Sequence, residues 1–476
     1  MFRGTEKAFK LLMENRNRPV LYIADPDVDG LFSALLVCRF LTAYGIEYSL
    51  YINDDRKHGL LLDIEDLEGY MVIGADFATK PEQIEEIKKR DIVYINIDHH
   101  DIKSETLVEW DKGVIINNQY PFELDEKRYL SGAGVVFETL CEWDARFKSH
   151  EHFAIVGITL LSDIRPIENK QARRYLDFTY SISEDNEYFN YLISNTMKEN
   201  YEKYTFGYPR MDRNYIDYSF SPRINSMLRY NESYEALEFI FGSGLDTKDR
   251  RVMQREFVAY LVDCATIVKN TYSNIAVIDW DDLDEFMLEQ FDNPEPSNFI
   301  GYACSQIMGT GNSTLILLVK DGEIIRGSFR GRYSDIDYLN LLRSLDIKAE
   351  GHKYACGILS IDIDDEKIED INRGIKYLER GHVETRRIIE VSNLSMFYSS
   401  RCGRIADNNN YVRDSYRTFI KYTGNNYFKR KDGDSYIEYE VDGYEVKCFD
   451  PELTPNNGYI VPITEKGYVK MYLREN

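Results

Sequence analysis

Between residue 20 and about residue 165 the chain alternates apolar runs with amphipathic ones. VLYIA, YMVIGA, IVYINI and AIVGITLL are apolar almost throughout, as strands buried on both faces are. LFSALLVCRFLTAYG carries its apolar residues at helical spacing and ends at Gly45. PEQIEEIKKR is helical, and SGAGVVFETLCEWDARF starts on small residues and continues as a helix. IEYSLYI adds another strand. Strand–helix–strand units of this kind predict an α/β fold on a parallel sheet with right-handed crossovers.

Residues 166–230 are less regular and rich in Tyr, Asn and Arg. From Glu232 to about Lys269 the pattern is helical, with KDRRVMQREFVAYLVDCATIV as one long amphipathic helix. A second mixed region follows, with strands NIAVIDW, STLILLVKDG and EIIRGSFRG and helices near YLNLLRSL and DEKIEDINRGIKYLERG. From about Glu384, alternating segments separated by Asn, Asp and Gly predict a small antiparallel β domain, compatible with a barrel.

The chain has 476 residues, 43% of them apolar and 29% charged, as expected of a globular protein of several domains. No run of about 18 apolar residues is present, so no membrane span is expected. The first 19 residues are amphipathic and lack the apolar core of a signal peptide. Seven cysteines without a CxxC pair fit a reducing cytoplasm, not a disulfide framework or a zinc ribbon. A net charge of −23 argues against broad coating of nucleic acid and leaves only a local groove for such contact. Lys429, Arg430 and Lys431 form a compact basic run, read as a solvated hairpin tip, with contact to a single-strand backbone as the alternative.

Four acidic clusters follow the apolar runs in order: DPDVDG with Asp25, Asp27 and Asp29, GADF with Asp76, DHH with Asp98, His99 and His100, and LLSDIRP with Asp163. An Asp after a strand is most often a helix N-cap when taken singly. Four such ends on one edge of a parallel sheet converge on one crevice, where carboxylates repel one another without a cation. The economical reading is a site for two divalent metals, hence phosphoryl-transfer chemistry. Asp25, Asp27 and Asp29 alternate on an extended or turning segment, and Gly30 allows a tight turn into the next helix. A His beside carboxylates leans the choice to Mn²⁺, with Mg²⁺ the alternative.

The order DxDxDG, strand-end Asp, DHH, SGAG and LLSDIRP resembles the DHH phosphoesterase superfamily. YSFSPRINSMLRYNESYEALEFIF is similar to the PRIN segment of RecJ-type single-strand exonucleases, and YINDDRKHG resembles their loop with a substrate-side arginine. GSFRGR with EGHKYACG resembles the DHHA1 module. The resemblance implies Asp27, Asp29, Asp76, His99 and Asp163 as metal ligands, with Asp76 bridging. It makes His100 the phosphate-contacting histidine, Asp25 an additional acid and Asp98 the group orienting the histidines. Arg56, Arg223, Asn225, Arg229, Ser328, Arg330, Gly351 and His352 match positions along the substrate path. SMLR stands where the family has AAGR, and Glu350-Gly351 replaces a Gly-Gly.

On this basis residues 1–230 form a DHH catalytic domain, 231–272 a connecting helix, 273–381 a DHHA1-like nucleic-acid-binding domain and 382–476 an oligonucleotide-binding-like β domain. The implied activity is two-metal-dependent 5′→3′ hydrolysis of single-stranded DNA to nucleoside 5′-monophosphates. The family-level alternative is a phosphodiesterase of short oligoribonucleotides or cyclic dinucleotides, and the alternative of another class is a non-catalytic scaffold. Expected partners are single-stranded DNA and, through the resemblance, a single-strand-binding protein or a helicase.

Overall fold

The computed structural model describes residues 2–476 except 54–56, 101–108, 121–122, 124–126, 164, 166–169, 183–185, 197–210, 212–214, 243–249, 270–272, 296, 310–313, 322–323, 334–335, 361–364, 381–386, 392–417, 423–428, 433–435, 442–443, 449–451, 456, 466–467 and 475–476. They divide into two compact units, one of residues 1–225, 233–247 and 386–476, the other of 226–232 and 248–385.

The first unit is built on a six-stranded sheet. Its strands are β1 (Val20–Ala24), β2 (Tyr48–Ile52), β3 (Met71–Ala75), β4 (Val93–Asp98), β5 (Glu109–Trp110) and β6 (Gly113–Asn117). They lie in the order β2-β1-β3-β4-β6-β5, all parallel except the edge strand β5. β3 and β4 are buried along their whole length, which explains their largely apolar sequence. The helices of this region are α1 (Thr5–Glu14), α2 (Val28–Ala43), α3 (Pro81–Lys88), α4 (Gly132–Trp143) and α5 (His150–Ser162). α2 packs on β1, α4 and α5, so it is apolar nearly all round.

Register places the functional ends together. Ala24 pairs with Ala75, Ala75 with Ile97 and Asp98 with Asn117, so the residues after β1, β3 and β4 share one sheet edge. The chain leaves β1 for β2 on one side and returns to β3 on the other. That reversal opens the crevice in which open α/β sheets bind ligands.

AIVGITLL is not a strand. It lies within α5, which Ser149 caps by accepting the His152 N–H at 3.1 Å. The helix is buried on every side, so its sequence shows no polar face, and a buried helix and a buried strand then look alike. The stretch expected as one connecting helix also differs. It holds helices Ser233–Phe241 and Arg250–Cys264 and then β7 (Thr266–Lys269), because the β-branched run TIV favours extended backbone.

The second unit carries a six-stranded sheet of β7, β8 (Ser273–Asp279), β9 (Thr314–Asp321), β10 (Ile324–Arg330), β11 (Lys348–His352) and β12 (Ala355–Ser360). Its order is β11-β12-β10-β9-β8-β7, with β8 and β9 the parallel pair. One core gathers Phe257, Phe291, Phe299 and Leu317, and a second gathers Phe329, Tyr338, Leu342 and Ile375.

The C-terminal β segments form a seven-stranded mixed sheet of β13 (Arg387–Val391), β14 (Thr418–Tyr422), β15 (Lys429–Asp432), β16 (Ile437–Val441), β17 (Tyr444–Cys448), β18 (Tyr459–Glu465) and β19 (Tyr468–Arg474). Its order is β13-β14-β18-β19-β17-β16-β15, and among the described residues the two edge strands are not paired with each other. The basic run Lys429–Lys431 is not a hairpin tip but lies in the exposed edge strand β15. There Lys429 pairs with Glu440 and Arg430 with Asp432. Charged side chains on an edge strand discourage further pairing.

Candidate metal centre

The strand ends and two helix termini assemble the site. Asp25 directly follows β1 and is 1% exposed. Asp27 is the N-cap of α2, accepting the Gly30 N–H at 2.8 Å. Asp29 therefore lies in the first helical turn, not on an extended segment. Gly30 is helical as well, and its role is close packing. A Cβ there would lie 2.4 Å from the Asp25 carbonyl oxygen.

Asp29 points its carboxylate at the N-terminus of α4, where Gly132 donates to Oδ2 at 2.6 Å and Ala133 to Oδ1 at 3.0 Å. Small residues in SGAG are required for this. A Cβ on Gly132 would sit 2.3 Å from Asp76 Oδ1. Asp76 itself adopts left-handed backbone with φ 66° and donates its N–H to the Ile97 carbonyl at 2.9 Å. That geometry turns the chain sharply after β3 and is one that Asp tolerates better than most residues.

After β4, Asp98 accepts from His100 Nδ1 at 2.7 Å and from Asn117 Nδ2 at 3.2 Å, which fixes the imidazole. His99 is buried, with Nε2 3.0 Å from Asp76 Oδ1 and 3.9 Å from Asp29 Oδ2. Its Nδ1 lies 3.7 Å from Asp163 Oδ2. Asp163 is the C-cap of α5, so the fourth cluster enters from a helix end. The ligand atoms of Asp76, His99 and His100, and those of Asp29, His99 and Asp163, each fall within 4.8 Å of one another.

The crowd is electrostatically costly. Burial raises Asp76 well above the usual carboxylate range, and Asp29, Asp27, Asp25 and Asp163 add to it. Burial, then Asp29, raises Asp163, and burial with Asp27 lifts Asp29 to about 6. Burial and the charge of His100 push His99 down to about 3. For His100 burial works the other way, yet Asp98 holds it up at about 10. Asp25 Oδ1, Asp76 Oδ1, His99 Nδ1 and Asp163 Oδ2 are buried without a hydrogen bond. Buried carboxylate oxygens and an imidazole nitrogen left this way fit divalent cations, which would satisfy them and cancel the repulsion.

Two groups here were not legible in the sequence. His58, in the loop after β2, is hydrogen-bonded through Nδ1 to Asp25 Oδ2. Arg165 reaches Asp163 Oδ2 at 3.7 Å while donating to the carbonyls of Tyr129 and Arg128 at 3.2 and 2.7 Å. The RKHG and SDIRP strings held the only signal for either.

The residues expected along a substrate path are divided between the units. Arg56 lies outside the described residues. Arg223 and Asn225 belong to the first unit, on the helix Ser221–Arg229, with Arg223 buried. A π-helical turn over Ile216–Phe220 precedes that helix, and such turns often mark functional segments. Arg229, Ser328, Arg330, Gly351 and His352 belong to the second unit. Arg229 donates to Gln254 Oε1 at 3.1 Å. Arg330 donates from Nε to Ser305 Oγ, from Nη1 to Ser328 Oγ and from Nη2 to the Gly301 carbonyl, so all three of its nitrogens are engaged inside that unit. Gly351 takes φ 130°, and a Cβ there would stand 3.0 Å from the Ala355 carbonyl. The side chain of His352 lies outside the described residues.

Residues 20–161 match the sequence profile of the "DHH family, N-terminal domain". Among curated protein sequences, none matches this chain. Among solved structures, RecJ in complex with Mn²⁺ from Thermus thermophilus is similar, with a TM-score of 0.63 at 15% identity. The match covers 100% of this chain and 71% of that one. A structure of exonuclease RecJ bound to manganese matches with a TM-score of 0.57 at 17% identity, over 80% of this chain and 95% of that one. RecJ from Thermus thermophilus in complex with Mg²⁺ matches with a TM-score of 0.58 at 14% identity, over 100% and 70% of the two chains. No helix among the described residues is long and apolar enough to cross a membrane.

Proposed function

We propose that this chain, whose residues 20–161 are a DHH-family N-terminal domain within a RecJ-like fold, is a divalent-metal-dependent phosphodiesterase that degrades single-stranded DNA from its 5′ end. The observation that carries the reading is the convergence of Asp29, Asp76, His99 and Asp163 on one sheet edge, where Asp76 Oδ1, His99 Nδ1 and Asp163 Oδ2 are buried atoms without a hydrogen bond. DHH membership and the fold support the phosphoesterase class. The 5′→3′ direction, the DNA preference and the release of nucleoside 5′-monophosphates follow from the likeness to RecJ.

Asp27, Asp29, Asp76, His99 and Asp163 hold the ions, Mn²⁺ by preference because of the imidazole. Bound there, two divalent ions supply a nucleophile at neutral pH and neutralise charge on the leaving oxygen. Asp98 keeps His100 cationic and oriented, so His100 meets the phosphate oxygens. α4 directs its N-terminal N–H groups at Asp29 and fixes that carboxylate before any ion arrives. With a net charge of −23, the strand enters by a local groove, and affinity depends on few phosphate contacts. We place the protein in the cytoplasm, with a single-strand-binding protein or a helicase as its partners.

A time course with Mn²⁺ on long single-stranded DNA, labelled at the 5′ or the 3′ end, tests this. Immediate release of labelled mononucleotide from the 5′ end, with gradual shortening of the 3′-labelled strand, is expected. An intact long strand beside a cleaved di- or trinucleotide would reassign the site to short oligoribonucleotides or cyclic dinucleotides.

A further inference from the structure

The expected ligand set leaves one contact of the site unexplained. Asp25 is almost wholly buried at the end of β1, and His58 reaches it from the loop after β2, forming a hydrogen bond from Nδ1 to Oδ2. A carboxylate only accepts hydrogen bonds, so the imidazole N–H is the donor. The side chain of His58 is 51% exposed, whereas Asp25 Oδ1 is buried and has no hydrogen bond. We propose that His58 is a positioning residue of the hydrolytic site, holding Asp25, and through it the β1–α2 turn that carries Asp27 and Asp29. The inference rests on the hydrolytic reading given above.

The loop is constructed to deliver this histidine. Asn53, fully buried, donates its Nδ2 to the Gly59 carbonyl at 2.7 Å. Gly59 has φ 106°, a conformation in which side-chain-bearing residues are strained. Gln83 on α3 donates to the Leu60 carbonyl at 2.6 Å, and Leu60 packs in the core with Phe77. The residues that follow His58 are therefore tied to the end of β2 and to α3.

Asp25 transmits what His58 fixes. Its carbonyl oxygen lies 2.4 Å from where a Cβ on Gly30 would stand, so Asp25 is wedged against the first turn of α2. Ligand atoms of Asp25, Asp27 and His58 lie within 4.8 Å of one another. Without His58, Asp25 is a buried carboxylate next to another carboxylate and loses the tie that the loop after β2 gives it. The arrangement parallels His100, whose Nδ1 is likewise held by a buried strand-end carboxylate, Asp98. Two imidazoles are thus held on two separate strand ends of one cluster.

The test uses the full chain, Mn²⁺ and bis(p-nitrophenyl) phosphate, a diester that asks nothing of strand length or polarity. Bound Mn²⁺ is counted by electron paramagnetic resonance, and melting temperature reports the fold. His58→Ala is expected to lower kcat by about tenfold or more with KM and Mn²⁺ count unchanged, since small misplacements near the chemistry cost rate. His58→Asn places an amide nitrogen near the position of Nδ1 and should restore kcat to within about threefold of wild type, whereas His58→Gln, which reaches the Nε2 position, should not. An alanine variant as active as wild type would overturn the inference. So would equal rescue by Asn and Gln, or loss of a bound Mn²⁺ in His58→Ala, which would make His58 a ligand. Wild-type protein that neither hydrolyses the diester nor binds Mn²⁺ would remove the hydrolytic reading, and this inference with it.

Discussion

Asp76→Asn is expected to lower kcat by at least about 10³-fold while the metal-free protein melts at a higher temperature than wild type. Both effects come from the same feature. Asp76 is buried among Asp25, Asp27, Asp29 and Asp163, and its charged form is strongly disfavoured in the absence of a cation. Asn removes that charge while keeping the shape, and it tolerates the left-handed backbone of φ 66° as well as Asp does. It also fits beside Gly132, where the space is already filled by the Asp76 side chain. What Asn would not supply is the anionic oxygen with which Asp76 would hold a divalent ion. Steady-state kinetics with Mn²⁺ and calorimetric melting of the chelated protein check the two halves. An active Asp76→Asn, or one less stable than wild type without metal, would mean that Asp76 has been given the wrong role.

The metal-free protein is expected to lose stability as pH rises from about 6.5 to 9, and to regain it on adding Mn²⁺. Asp76 and Asp163 keep their protons longer when folded than when unfolded, because burial raises them. The folded state then binds more protons, and stability falls with rising pH. His100 acts in the same direction. Held up at about 10, it contributes stability that is complete below the unfolded histidine value and lost as pH climbs through 10. His99, pushed down to about 3, opposes this, but its effect is complete once pH exceeds the unfolded histidine value. Asp29, at about 6, has likewise finished titrating there. Mn²⁺ at 100 times its dissociation constant should add about 2.7 kcal/mol per site, which is about 3 °C in Tm for a chain of this length. A chelated protein whose Tm rises over this pH range, or fails to respond to Mn²⁺, would contradict the electrostatic account.

The strand-end carboxylates were legible because a parallel sheet brings all its strand ends to one edge. VLYIA, YMVIGA and IVYINI were recognisable from apolar runs too short and β-branched to be helices. α5 was not, since burial on every side erased the polar face that distinguishes a helix; its length and Ser149 were the remaining signals. The left-handed turn at Asp76 could not be read from GADF. The two N–H groups of α4 that receive Asp29 lie 103 and 104 residues away, a pairing set by tertiary packing alone. His58 was hidden for the same reason: only the closed loop brings it to Asp25. Arg330 shows the opposite case, in which a motif suggests phosphate contact and the fold engages all three of its nitrogens internally.

Diffraction from crystals of the full chain soaked in Mn²⁺, recorded at the manganese absorption edge, addresses the central claim directly. Two anomalous peaks about 3.5–4 Å apart, bounded by Asp27, Asp29, Asp76, His99 and Asp163, are predicted. An anomalous map without density among these side chains, at Mn²⁺ concentrations that support hydrolysis in solution, would contradict the account.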